Sequence, residues 1–277
     1  MNGLADARKP PKIEVVRPWD WQRITGALLL AFYALIAFIL IRMVVVDFDS
    51  EFVARYLPRM FSGLWVTAKL VVISITLGAI IAFPMALARN SNNWLLRKFA
   101  FFYIYFFRGT PLLAQVFLVY YGAGQFRPFL VEWGLWGLFR DAYFCALLTF
   151  SLNTAAYQAE ILRGAITAVP RGQWEAAQAF GLSKFATYWK VILPQALISA
   201  LRPLGNEIIF MIKGSAVASI ITVFDLMGET RLAYSRSFDF QVYLWAACMY
   251  LAIVEVLRRV WDVFEKRLTR HLERSPK

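Results

Sequence analysis

Residues 24–41 read ITGALLLAFYALIAFILI, eighteen positions without a charge. About that many apolar residues carry an α-helix across the hydrocarbon core of a bilayer. Residues 70–88, LVVISITLGAIIAFPMALA, repeat the pattern. The first run starts too far from the N-terminus, and lacks the small-residue cleavage site, to read as a signal peptide. Working outward, residues 142–159 and 242–257 are further spans with polar interruptions, and 208–224 is another with Lys213 inside it. Residues 99–122 are apolar but break at Arg108-Gly109-Thr110-Pro111. A helix starting at Pro111 would have about a dozen residues, roughly 18 Å, too short to span. The whole run is therefore needed, as one kinked helix or as an interfacial lead followed by a short helix. The expected fold is all-α: a polytopic membrane protein with six transmembrane helices.

Composition agrees. Of 277 residues, 60% are hydrophobic and 17% charged, and mean hydropathy is +0.53. A soluble domain is about 45–50% apolar and about 25% charged, so a soluble chain would have nowhere to bury the excess. The two cysteines, Cys145 and Cys248, sit in apolar runs, and the single histidine, His271, sits in a charged tail. That excludes histidine-based catalytic triads and His/Cys metal sets, and no GxxxxGK[ST] phosphate loop is present to hydrolyse ATP. No catalytic residue, metal ligand or bound cofactor is expected.

The formal charge of +12 would suggest nucleic acid in a soluble protein. Here it sorts by segment. Segments 1–23, 89–98, 163–202 and 258–277 together hold 20 Lys and Arg, whereas 47–62, 123–141 and 229–240 hold 6. Basic residues accumulate on the cytoplasmic side, so both termini are expected inside and no nucleic-acid partner is implied.

The longest inner segment carries a motif. Its residues Gln173 to Phe180 suit a short helix with Glu175 near the positive N-terminal end, stopped by Gly181, and a second short helix is expected from Ser183 until Pro194. Two short helices at a glycine bend suit a docking element, although a helix lying on lipid headgroups would share the pattern. The segment resembles the loop that marks membrane subunits of binding-protein-dependent ABC importers. It supplies Glu175-Ala176-Ala177, Gly181 and Leu193-Pro194 at the family spacing, with Val191 where an Ile is usual. The segments Phe107-Arg108-Gly109-Thr110-Pro111-Leu112 and Asn153 to Glu160 resemble the polar amino-acid branch, which includes histidine, basic amino-acid and opine permeases.

The resemblance implies an ATP-binding cassette ATPase that receives residues 167–194 as a coupling loop and itself holds ATP and magnesium. It also implies a second permease subunit, the same or similar, and a periplasmic or lipid-anchored amino-acid-binding protein. The setting is a bacterial cytoplasmic (inner) membrane. The implied organisation is a cytoplasmic tail at 1–23, an extra N-terminal span at 24–46, a permease domain at 60–265 with a five-helix core, and a basic tail at 266–277.

Polar groups inside spans are functional candidates. Arg42 is placed to reach the outer headgroups, Lys69 has no assigned role, and Glu255 is spaced to pair with Arg258 and Arg259. Asn153 and Glu160, seven residues apart, share a helix face and are expected to point at one cavity, unless they only bond neighbouring helices. Glu207, Lys213 and Asp225 are expected in the following span, pairing among themselves or across helices. A zwitterionic substrate needs carboxylate donors and ammonium acceptors; Asn153 offers the first, Glu160 and Asp225 the second. The rival function is an autonomous secondary carrier or channel that uses these charges for ion coupling.

Overall fold

The computed structural model describes residues 21–45 and 50–270. Most of the inner tail at 1–23, the end of the basic tail and His271 lie outside these. The chain divides into two units, 1–50 and 51–277. In the first, α1 (Trp21–Val45) is apolar right round, with Arg42 in its last turn. By length and composition it could cross a membrane; of the span expected at 24–46, the last residue lies outside the described residues.

The second unit opens with α2 (Ser50–Arg89), forty residues long. At 1.5 Å per residue that is about 60 Å, roughly twice the hydrocarbon thickness. The external loop expected at 47–62 is therefore helix from Ser50 onward. There follow α3 (Trp94–Gly109) and α4 (Leu112–Gln125), bent by 103° at the break. Of the two forms anticipated, the break is thus a lead helix turning sharply into a short one. Short α5 (Arg127–Glu132) and α6 (Trp136–Phe139) lead into α7 (Ala142–Thr167). Next come α8 (Arg171–Ala179), α9 (Lys184–Thr187), a π-helical turn (Tyr188–Ile192) and α10 (Leu193–Gly214). A 3₁₀ turn (Ser215–Ile221), α11 (Leu226–Ser237) and α12 (Gln241–Thr269) complete the described chain. No strand occurs among the described residues.

Side chains start several of these helices where backbone N–H groups would otherwise go unpaired. Asn93 Oδ1 accepts from the Leu95 N–H at 3.0 Å, Asp141 Oδ1 from Tyr143 at 3.0 Å, and Asp225 Oδ1 from Gly228 at 2.9 Å.

Helix α7 is the central pillar, with α3, α4 and α10 packed on it. More than half of its residues are buried, among them Thr149, Ser151, Asn153, Thr154 and Gln158. By length and composition α1, α2, the run Lys184–Ile221 and α12 could each cross a membrane, and the bent α3–α4 pair makes a fifth crossing if taken as one span. Helix α7 falls short on apolarity, because its polar side chains meet neighbouring helices rather than lipid. At about 39 Å it is long enough.

Two glycines let α2 lie against its neighbours. A Cβ on Gly78 would stand 2.5 Å from Thr154 Cγ2 and 3.0 Å from Gln158 Nε2. One on Gly63 would stand 2.7 Å from the carbonyl oxygen of Asp225, backbone that cannot swing aside. We expect Gly63→Ala to destabilise the chain by about 1–3 kcal/mol, read as a lower melting temperature in detergent. Gly122→Ala, whose nearest neighbour would be Leu118 Cδ1 at 3.9 Å, should leave it unchanged.

Two sequence expectations fail near α10. Pro194 does not end the second loop helix: it sits in the first turn of α10, where a missing N–H does no harm. The preceding turn widens, with the Leu193 N–H donating to the Tyr188 carbonyl five residues back, so helix runs continuously from Lys184 to Gly214. The span read as 208–224 consequently starts earlier and finishes in the 3₁₀ turn, closed by Thr222 at φ 66°. Asp225 is therefore not in the span with Glu207 and Lys213 but caps α11.

Candidate functional site

The segment with Glu175-Ala176-Ala177 and Gly181 folds as a helix–turn–helix on the surface. Pro170 precedes α8, which starts two residues before the expected Gln173. Glu175 therefore lies beyond the first turn, and the helix dipole does little for it. Helix α8 ends with the Gly181 N–H donating to the Gln178 carbonyl at 2.9 Å and the Leu182 N–H to Ala177 at 3.1 Å. This pair of bonds needs a left-handed residue between them, and Gly181 supplies it at φ 69°. Ser183 Oγ then accepts from the Ala186 N–H at 3.2 Å and starts α9.

Ala177 faces inward, while Glu175, Ala176 and Pro194 are exposed and Leu193 is buried. Trp174 packs edge-on against Tyr188 with ring centres 6.0 Å apart, and Gln195 Nε2 donates to Gln173 Oε1 at 3.1 Å. Both contacts tie α8 to the helical run that leads into the membrane. Outside, Phe180 and Phe185 are 85% and 74% exposed. Two bare phenyl rings flanking a glycine turn are a surface that gains by being covered.

The break between α3 and α4 leaves carbonyls that the helices do not use. Gln115 Nε2 lies 2.9 Å from Phe107 O, 3.1 Å from Thr110 O and 2.7 Å from Thr110 Oγ1. Asn153 Nδ2 donates to Phe107 O at 3.0 Å and to Gln115 Oε1 at 2.9 Å. Arg108 lies over the Tyr157 ring at 5.4 Å, Gly109 is exposed, and Pro111 starts α4. Backbone at membrane depth is tolerated only when its polar groups find protein partners, and these two amides provide them. Gln115→Leu and Asn153→Leu should each destabilise by about 1–2 kcal/mol. Because they share Phe107 O, the double variant should lose less than the sum, which a double-mutant cycle in detergent unfolding measures.

Beside the break, α4, α7 and α10 line a half-open cavity of about 560 Å³. Its polar lining includes Thr110, Asn153, Tyr157, Asn206 and Glu207, and its apolar lining includes Ile161 and Phe210. Glu207 is 8% exposed, and its Oε1 accepts from Thr154 Oγ1 at 2.9 Å. Thr154 Oγ1 in turn is 3.1 Å from Gln158 Nε2, which also donates to Ile75 O at 3.2 Å. The carboxylate thus faces the cavity with no cation within ion-pair distance among the described residues.

The three pathway candidates separate. Asn153 lines the cavity. Glu160 lies in a second hollow that shares Tyr157 as its wall, and Arg163 holds it with Nη2–Oε1 at 2.6 Å and Nε–Oε2 at 3.0 Å. Asn153 and Glu160 therefore open onto adjoining spaces rather than one. Asp225 is fully buried at the start of α11 and lines neither. Lys213 is exposed, and Lys69, also exposed, lies over the Trp65 ring at 5.6 Å. Glu255 pairs with Arg258 at 3.0 Å and Arg259 at 2.7 Å, as its spacing predicts. Gln115 was not a sequence candidate; its only signal is position, one turn after the Pro111 break.

Residues 74–270 match the family described as binding-protein-dependent transport system inner membrane component. The chain belongs to this family. It is 39% identical over 225 residues to the nopaline transport system permease protein NocM of Agrobacterium fabrum, covering 81% of this chain and 93% of that protein. It is 37% identical over 218 residues to the arginine ABC transporter permease protein ArtM of Escherichia coli strain K12, covering 77% and 96%. The crystal structure of an amino acid ABC transporter with histidines superposes with a TM-score of 0.70 at 33% identity, covering 79% of this chain and 99% of that one. An inward-facing MetNI methionine ABC transporter shares the fold at 19% identity and a TM-score of 0.63. This inner membrane component is thus a permease subunit of an ABC importer, a non-catalytic part of such systems. The permease carries α1 ahead of the matched region.

Proposed function

We propose that this permease forms half of the pathway of an ATP-driven importer for polar amino acids, with basic amino acids or opines as cargo. One observation carries the reading: the helical run that follows the docking turn, held to α8 by Trp174–Tyr188 and Gln195–Gln173, continues unbroken to the cavity wall. From Lys184 to Glu207 the chain is helical throughout, about 34 Å of rod. A partner ATPase that covers Phe180, Phe185 and the Glu175-Ala176-Ala177 turn would move Pro203, Asn206, Glu207 and Phe210 with it. ATP and magnesium belong to that partner; this chain binds no cofactor. Its bond-making work is nil, and its role is to gate.

The cavity chemistry supports the cargo. A basic amino acid brings two cationic groups and one carboxylate. Glu207 is the acceptor placed for a cation, with Asn153 and Asn206 able to donate to a carboxylate. Tyr157 and Phe210 flank the alkyl stem. Asp225 is better read as an anchor between α2 and α11, and Glu160 as part of the adjoining hollow. The remaining partners would be a second permease subunit, the same or similar, and a periplasmic or lipid-anchored amino-acid-binding protein. Six spans with both termini in the cytoplasm of a bacterium, α7 and the α3–α4 pair included, fit the inward bias of basic residues.

Reconstitution tests the reading. Liposomes containing the permease, the ATPase and the binding protein should accumulate a radiolabelled basic amino acid only with internal ATP in the transport orientation. Uptake driven by an ion gradient without the ATPase would overturn it and favour the secondary-carrier alternative.

A further inference from the structure

The hollow beyond Tyr157 has a chemistry the cavity lacks. It measures about 360 Å³ and is lined by Arg89, Phe101, Tyr105, Arg108, Tyr157 and Glu160. Glu160 is the carboxylate of that lining, and Arg163 already neutralises it through three contacts of 2.6–3.0 Å. Arg89 and Arg108 have no acidic partner within ion-pair distance among the described residues. The Nε atom of Arg89 is buried and makes no hydrogen bond. Each guanidinium rests on an aromatic face, Arg89 on Phe101 at 5.0 Å and Arg108 on Tyr157 at 5.4 Å. Such stacking holds the planar group and leaves its N–H edge free for an oxyanion, which a guanidinium grips in bidentate fashion.

The position limits what the anion is. Arg89 is the last residue of α2, and the first turns of α3 carry Arg97 and Lys98 as well. From the hollow the surface continues onto the outer flank of α3, where Phe99, Phe102 and Tyr105 are 63%, 63% and 67% exposed. A soluble anion has no use for that flank. A lipid does: its headgroup would sit between the arginines while its acyl chains run along the rings.

We propose that Arg89 and Arg108 form a binding site for the phosphodiester headgroup of an anionic phospholipid in the leaflet that meets the α2–α3 connection. The site stands on its own geometry and does not depend on which amino acid is carried. Glu160 faces Arg89 and Arg108 across the hollow but is bonded to Arg163, so three guanidinium groups share one carboxylate, and the occupant adds the missing negative charge between the ends of α2 and α3.

Native mass spectrometry of the full transporter complex, delipidated and then offered dioleoyl-phosphatidylglycerol or dioleoyl-phosphatidylcholine at equal concentration, tests this. Preferential retention of phosphatidylglycerol is expected, weakened roughly thirtyfold in Arg89→Gln/Arg108→Gln, as loss of two interfacial arginines implies. Should that variant fail to assemble, Gly109→Leu fills the hollow and keeps both cations; a Cβ there meets nothing within 4 Å. It should also lose the lipid. Equal retention of the two lipids by the unaltered complex, or undiminished retention by Gly109→Leu, would overturn the proposal. So would displacement by millimolar inorganic phosphate, which assigns the site to a soluble anion, or by the transported amino acid, which assigns it to the pathway.

Discussion

Gly181→Asp is expected to reduce ATP-driven uptake to background while the chain still inserts and assembles. The turn after α8 requires φ near 69° at this residue, and a side chain there is strained whatever space surrounds it. The strain, of order 1–3 kcal/mol, falls on the turn that sets Phe180 and Phe185 apart. A partner ATPase reading those rings meets a displaced surface. Glu175→Lys acts on the same face by reversing the charge of an exposed residue, without straining the backbone. Two measurements together check the prediction: substrate uptake into proteoliposomes, and stimulation of ATP hydrolysis by the binding protein. Both should be lost in Gly181→Asp, with normal amounts of chain in the membrane fraction. Unchanged uptake would remove the loop from the coupling path.

Glu207→Gln should lower uptake of a basic amino acid by about ten- to a hundredfold, the range spanned by a hydrogen bond to a charged group. The amide keeps an acceptor for Thr154 Oγ1, now 2.9 Å from Oε1, so folding is spared. What disappears is the negative charge facing the cavity, and with it the acceptor for a cationic side chain. Glu207→Ala should do more harm to stability, since Thr154 and the cavity wall both lose a partner. A neutral polar amino acid, if carried at all, should be affected far less by Glu207→Gln. Competition uptake assays with charged and neutral amino acids read that difference directly. Equal loss for both would make Glu207 a structural strut.

Features set by neighbours in the chain were visible before the structure. The Gly181 stop and the ion pairs of Glu255 depend on residues within one or two turns and appear where their spacing puts them, whereas α8 starts two residues early and leaves Glu175 beyond its first turn. Features set by distant partners were not. Thr154 reaches Glu207 across 53 positions, and Gln115 finds Asn153 across 38. No periodicity within either helix encodes these pairs. Asp225 was misplaced because hydropathy registers apolarity, not backbone direction: residues up to Phe224 are apolar, but the chain leaves the span at Thr222. Pro194 misled for a related reason. A proline opposes a helix only where an N–H is required, and the widened turn before it removes that requirement. Helix α7, the most buried of the long helices, had the weakest lipid-facing signature because so little of it faces lipid.

The unbroken run from Lys184 to Gly214 has an evolutionary corollary. In the proposed reading, Phe185 beside the docking turn and Glu207 at the cavity wall are turns of one rod to which α8 is tied by Trp174 and Gln173, so neither end would be free to drift alone. A change in α10 that suits a new cargo also alters the angle at which the loop is presented. On that reading, cargo should be exchanged more readily through α7 and the α3–α4 break, which line the cavity and lie outside the docking turn. Chimeras that graft only those segments should keep their native ATPase.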